Sequence, residues 1–310
     1  MKTLRYILAM GVVMVVAGTA HSQIVTDMAI KNTKIPKGEH PSVAEDKLSR
    51  QKMDVQLDSA ATYYTLIDSA QVRIARKDWA GAEDFIRKAI ANEPTNNTNS
   101  MLLSNLGTLQ RYQGKLQDAI KNYTLALDMT PNAVTLLLNR AATYMESGDV
   151  EKAVADFEKV RSLDETEEES RYTLGVMAMD NGDMATAEEL FREIKQFNDD
   201  SELANEGLGM MYKQKGDYGH AVVYLSEAIK KDPNPTLLGN RADCYLILKQ
   251  LNSASLDIQN ALEKAPDDGF LYLLRAKLNK MRFNKDDMKR DIELAVKYGV
   301  DKELAEQIGE

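Results

Sequence analysis

Few residues of this chain have the type and spacing that catalysis needs. Cys244 is the single cysteine, and a thiolate nucleophile wants an imidazole beside it to hold the charged form. The histidines, His21, His40 and His220, are scattered along the chain. Cys244 instead stands in the helical apolar pattern Ala242, Cys244, Tyr245, Leu248, which predicts a small buried hydrophobe. One cysteine also excludes an intramolecular disulfide and a multi-cysteine metal site. Asp164 to Glu169 reads DETEEE and Asp199-Asp200 adds a second acidic run. Neither has the alternating ligand positions or central Gly of a calcium loop, so both read as solvated junctions between helices. A phosphate-cradling glycine loop, an HExxH pair and a nucleophile elbow are all absent from the sequence. The expectation is no enzyme, no cofactor and no metal.

Composition narrows the remaining classes. Of 310 residues, 28% are charged and 44% hydrophobic, the balance of a folded chain and not of a disordered one. The formal net charge of −9 gives no general attraction to a phosphate backbone, so nucleic acid is excluded as a partner.

The first 22 residues have the pattern of a secretory leader. Lys2 and Arg5 form a basic start, Ile7 to Ala17 an apolar core, and Ala20-His21-Ser22 a peptidase-type site with Gln23 as the mature start. The apolar core is short for a membrane helix, which needs about 20 residues. No Cys stands near the cut to carry a lipid. Residues 1–22 are therefore expected to be a cleaved signal peptide, and the mature protein to be periplasmic or secreted, without a transmembrane span. An uncleaved leader acting as an anchor is the alternative. Residues 23–58 contain Pro36, Gly38 and Pro41 and read as a linker followed by a packing helix over Glu45 to Leu57.

The elements that carry everything else repeat. A packing position recurs at Ala82, Ala119, Ala153, Ala187, Ala221, Ala254 and Met288. A second small-residue series, Ala70, Gly107, Ala141, Gly175, Gly209, Ala242 and Ala276, keeps the same steps of 37, 34, 34, 34, 33 and 34. Gly114, Gly148, Gly182 and Gly216 mark turns, and Pro94, Pro131, Pro233 and Pro266 close four of the units. Within one unit, Leu103, Leu106 and Gly107 form a stripe before Gly114. Leu116, Ala119, Ile120, Tyr123, Ala126 and Leu127 then follow helical spacing up to Pro131. A glycine suits a left-handed turn and a proline cannot donate the next helix bond. Each unit of about 34 residues thus predicts a helical hairpin.

Leu208, Gly209, Tyr212, Gly216, Asp217, Tyr218, Ala221, Ala228 and Pro233 form the best unit, and with it the chain resembles the tetratricopeptide repeat family, exported bacterial type. The resemblance implies an all-α fold, a right-handed superhelical solenoid of about seven helix–turn–helix hairpins over residues 59–300, with 301–310 a short C-terminal helix or tail. Glu165 and Asp199 stand where the closing Pro is usual, which predicts that the helices before them run longer. Met288 and the lysines around it suit a solvent-facing end unit.

In proteins of this family the first helices line a concave groove. The resemblance therefore points to Leu138, Met145, Tyr172, Val176, Met179 and Met210 as partner-binding residues, bordered by Glu146, Glu169, Asp180, Glu206 and Lys213. Methionine adapts to varied apolar surfaces, and such a groove takes an amphipathic helix or an extended peptide. The same stripe would also suit packing between hairpins. A family-type carboxylate clamp is not expected: Asn105, Asn139 and Arg140 lack the matching lysines. The recurrence of Asn139-Arg140 and Asn240-Arg241 before a small residue predicts a structural bond to a neighbouring hairpin. The function expected is an exported scaffold for a protein or peptide partner in the cell envelope, free or peripheral to the membrane. A glycan or peptidoglycan-fragment binder and a self-associating structural protein are the alternatives.

Overall fold

The computed structural model describes residues 62–309; the leader, the linker and the packing helix read in the sequence lie outside them. Fifteen helices and no strand occur among the described residues. They pair into hairpins: α1 (Tyr63–Ala75) with α2 (Trp79–Asn92), α3 (Asn99–Tyr112) with α4 (Leu116–Met129), and α5 (Val134–Ser147) with α6 (Val150–Leu163). These belong to one compact unit, which ends at Glu165. The second unit begins at Thr166. It holds α7 (Glu168–Asp180) with α8 (Met184–Phe197), α9 (Glu202–Gln214) with α10 (Tyr218–Lys231), α11 (Pro235–Ile247) with α12 (Leu251–Lys264), α13 (Gly269–Met281) with α14 (Lys285–Lys297), and the short α15 (Lys302–Glu306). The fold is an all-α solenoid of seven hairpins.

Both repeating series are packing positions. Ala82, Ala119, Ala153, Ala187, Ala221 and Ala254 are fully buried, and Met288 is buried at the seventh place. The first-helix series lets the second helix come close. A Cβ on Gly175 would meet the Phe191 ring at 2.5 Å, far inside any real carbon contact. Between the helices of each hairpin one residue is left-handed, and this series is longer than the glycines revealed. Lys77, Lys249 and Phe283 adopt φ of 58°, 59° and 60° at the places that Gly114, Gly148, Gly182 and Gly216 occupy in other hairpins. The next residue but one then starts the second helix, often through a cap. Asp78, Asp183 and Asp217 accept from the backbone N–H of Gly81, Thr186 and His220, satisfying a donor that helix geometry leaves orphaned.

The helices before Glu165 and Asp199 do not run longer. α6 and α8 have 14 residues each, like α4 and α10. Asp164 and Asn198 leave the helix at φ −135° and −139°, while their N–H groups still bond Val160 and Ile194. The turn to extended backbone, more than proline itself, stops the helix.

Arg140 and Arg241 make the predicted bonds between hairpins. Arg140 donates from Nε and Nη2 to Asp156 on α6, both at 2.8 Å, and from Nη1 to Thr124 of α4 in the preceding hairpin at 3.0 Å. Arg241 does the same with Asp257 at 2.8 and 2.7 Å and with Ser226 of α10 at 3.0 Å. At the matching places in the fourth hairpin, Leu174 and Leu190 are buried instead. A second kind of staple holds successive hairpins through the residue after the packing Ala. Glu83 accepts from Gln110, Gln113 and Lys115 of the next hairpin as well as from Arg87. Glu188 likewise accepts from the Tyr212 hydroxyl and Lys215.

Candidate functional site

In the second unit the first helices α7, α9, α11 and α13 stand next to one another in chain order, because each hairpin repeats its predecessor's register. A residue on one first helix therefore meets its counterpart about one repeat away. Tyr172 of α7 donates its hydroxyl to Glu206 Oε1 of α9 at 3.0 Å, and its ring lies 6.0 Å from that of Phe191. Burial, and then the Glu206 carboxylate, push the Tyr172 hydroxyl far above its ordinary value. Burial also raises Glu206; the Tyr172 bond opposes this, and Glu202 and Asp232 reinforce it.

Further along the same face Lys213 of α9 donates to Asn240 Oδ1 at 2.9 Å and pairs with Asp243 Oδ2 at 3.0 Å, both on α11. Lys277 of α13 reaches the other oxygen of Asp243 at 3.4 Å. Burial works against the Asp243 charge, yet the two ammonium groups hold its carboxyl below the ordinary carboxylate range. Lys213 also lies 6.0 Å from the Phe270 ring centre. The face thus carries an acidic end at Glu206 and Glu202, and a Lys–Asp–Lys chain spanning three hairpins.

The six apolar residues read from the sequence fall into two groups. Leu138 and Met145 belong to the first unit and are half-buried; Leu138 packs against the core around Leu136 and Leu137. In the second unit Tyr172, Val176 and Met179 are buried. Met210 is half-buried against Ala221 and Leu225. Most of this stripe's surface is thus taken up by packing, and the polar groups at its edge carry the face's electrostatic character. Glu206 and Lys213 were visible as borders. Asp243 was not singled out, and Lys277 stood out only as one of the lysines of the last unit, although their spacing of 34 carried the signal.

Cys244 is buried, and burial pushes its thiol up to about 11, far from nucleophilic thiolate chemistry. Among the described residues no group of three or more His, Cys, Asp and Glu could hold a metal ion. No helix among them is long and apolar enough to cross a membrane.

Residues 81–268, more than half of the chain, match the family model of the tetratricopeptide repeat protein 21 C-terminal ARM domain. A crystal structure of a tetratricopeptide repeat protein from Parabacteroides merdae superposes with a TM-score of 0.63 at 30% identity, covering 81% of this chain and 98% of that one. Among curated proteins, human DnaJ homolog subfamily C member 7 is 35% identical over 88 residues, which is 28% of this chain and 18% of that protein. The chain therefore matches only a small part of these relatives' length. Pseudomonas aeruginosa pilF has a similar fold, with a TM-score of 0.59 at 16% identity over 67% of this chain and 95% of that one. The 34-residue period, the small-residue packing series and these matches agree: the chain belongs to the tetratricopeptide repeat family.

Proposed function

We propose that this chain is an exported, non-catalytic scaffold that assembles or maintains a protein complex of the cell envelope. It would read its partner along the first-helix face of its second unit. The observation that carries the binding reading is the Lys213–Asp243–Lys277 chain, in which three successive first helices present fixed charges beside the half-buried Met210. Fixed charges beside an apolar edge set register and orientation for a bound polypeptide. Export rests on the sequence alone: Lys2 and Arg5, the Ile7–Ala17 apolar run and the small residues before Gln23. In a diderm bacterium that address is the periplasm.

Two measurements test the reading. Mass spectrometry of the protein from a periplasmic fraction should find Gln23 at the N-terminus; an intact Met1 in the cytosolic fraction would overturn export. Affinity capture from the native envelope with wild-type protein and the Lys213→Glu/Lys277→Glu variant tests the face. A defined set of proteins lost in the variant supports it. Capture unchanged by the double reversal removes the face from the function.

A further inference from the structure

The turns inside the hairpins of the second unit change character along the chain. In the fourth and fifth hairpins they read Asn181-Gly182-Asp183 and Lys215-Gly216-Asp217. A glycine takes the left-handed position there, and an aspartate caps the second helix. In the sixth and seventh hairpins they read Leu248-Lys249-Gln250 and Arg282-Phe283-Asn284. The residue at the capping place is now neutral, and a side chain replaces the left-handed glycine. Phe283, at φ 60°, holds a conformation that only glycine takes without cost, and it is 91% exposed, so no packing offsets that cost. Ile247 and Leu248, at the end of α11, are exposed as well. The two turns adjoin. Arg282 donates to Ser255 Oγ and the Leu251 carbonyl at 3.3 Å and to Asn252 Oδ1 at 3.4 Å, all at the start of α12, and α12 begins just after Leu248-Lys249-Gln250.

The same turns gather positive charge in a chain whose net charge is −9. Lys249, Lys280, Arg282 and Lys285 are all exposed, and none of the four pairs with a carboxylate among the described residues. The acids beside them are Asp286 and Asp287 in the first turn of α14, and Asp287 is engaged by Arg290 at 3.2 Å. Exposed apolar side chains among cations suit a surface that is negative outside and hydrocarbon beneath. A bilayer interface offers both and needs no pocket shaped to a projecting ring. We propose that the turns of the sixth and seventh hairpins form a docking tip for an anionic lipid bilayer. Phe283, Ile247 and Leu248 enter the acyl boundary, and the four cations meet lipid phosphates. Burial there offsets the backbone cost that Phe283 carries in the free chain. The tip does not depend on what the first-helix face binds.

The probes are vesicles of phosphatidylglycerol and phosphatidylcholine in equal parts, and vesicles of phosphatidylcholine alone, co-sedimented with the full chain. The chain should bind the anionic vesicles more tightly. Phe283→Gly suits the left-handed turn and keeps the fold, yet it should weaken that binding about ten-fold, the value of one buried apolar side chain. Lys280→Glu/Lys285→Glu should remove the preference for anionic lipid. All these proteins share the apolar run Ile7–Ala17, so a signal from the tip itself is also needed. Phe283→Trp supplies it: lipid with brominated chains should quench this variant in anionic vesicles beyond the quenching of Trp79 alone in the wild type. Three results would each overturn the tip as a membrane site. They are quenching no greater than in the wild type, binding unchanged in both folded variants, and self-association that needs Phe283 without vesicle binding. The last, seen by sedimentation, would assign the tip to a second copy of this chain.

Discussion

Arg241 grips Asp257 with two parallel bonds, Nε to Oδ2 at 2.8 Å and Nη2 to Oδ1 at 2.7 Å, across the interior of the sixth hairpin. Asp257 is 2% exposed, so its charge is tolerable only while the guanidinium is there. Removing one partner of such a pair leaves an uncompensated charge and costs about 3 kcal/mol or more. Arg241→Leu alone should lower the stability of the hairpin by that amount. The double variant Arg241→Leu/Asp257→Leu, which copies Leu174 and Leu190 of the fourth hairpin, should recover most of it. Urea unfolding of the three proteins decides; a double variant no better than the single one would show that the pair's packing cannot be replaced.

The turn between the helices of a hairpin makes a second prediction. Phe283 is left-handed at φ 60° and 91% exposed. A side chain there costs about 1 kcal/mol, which packing does not return at an exposed site. Phe283→Gly and Lys249→Gly should each raise stability by about 0.5–1 kcal/mol, whereas Gly148→Ala, at φ 85°, should lower it by about 1 kcal/mol. Thermal melts of the three variants check the signs.

Glu83 ties acid stability to the junction between the first two hairpins. Burial alone would raise its carboxyl, but the bonds from Arg87, Gln110, Lys115 and Gln113 pull it down to about 2. A depressed carboxylate stabilises the fold above its unfolded value, near 4.3, and loses that contribution as pH falls toward 2. Glu83→Gln should therefore cost about 2–3 kcal/mol near neutral pH. The gap between variant and wild type should close between about pH 4.3 and pH 2. Denaturant midpoints across that range test the sign, and a gap that stays constant with pH would contradict it.

Glu206 has the opposite sign. Burial, Glu202 and Asp232 raise its carboxyl despite the Tyr172 bond, so its ionisation weakens the fold as pH rises above the unfolded value. Glu206→Gln keeps an acceptor for Tyr172. It should leave stability at pH 7 unchanged or higher, with the advantage fading as pH falls toward the ordinary carboxylate range. Loss of stability at neutral pH would show that the charge itself is needed by its neighbours.

Much of this architecture was legible in the sequence, because a solenoid writes its contacts at a fixed period. Ala82 to Met288 and Ala70 to Ala276 marked the places where helices touch, and the recurrence of Asn-Arg before a small residue foretold the bonds of Arg140 and Arg241. What was not legible depends on partners distant in sequence or on a departure from the repeat. Lys77, Lys249 and Phe283 carry no glycine to announce a left-handed turn. Asp243 looks like one more surface acid until two lysines on neighbouring helices are seen to flank it. Helical spacing placed Tyr172, Val176 and Met179 on one side of a helix, but their burial depends on packing that spacing alone does not reveal. The leader and linker lie outside the described residues.

The central claim is that the first-helix face of the second unit binds a protein partner. A photo-crosslinking amino acid placed at Met210, on that face, and at Val223, an exposed site on a second helix, tests it in native cells. Crosslinks to a small, defined set of envelope proteins from position 210, absent from 223 and lost with Lys213→Glu/Lys277→Glu, are the expected result. Equal crosslinking from both positions, or none from 210, would contradict it.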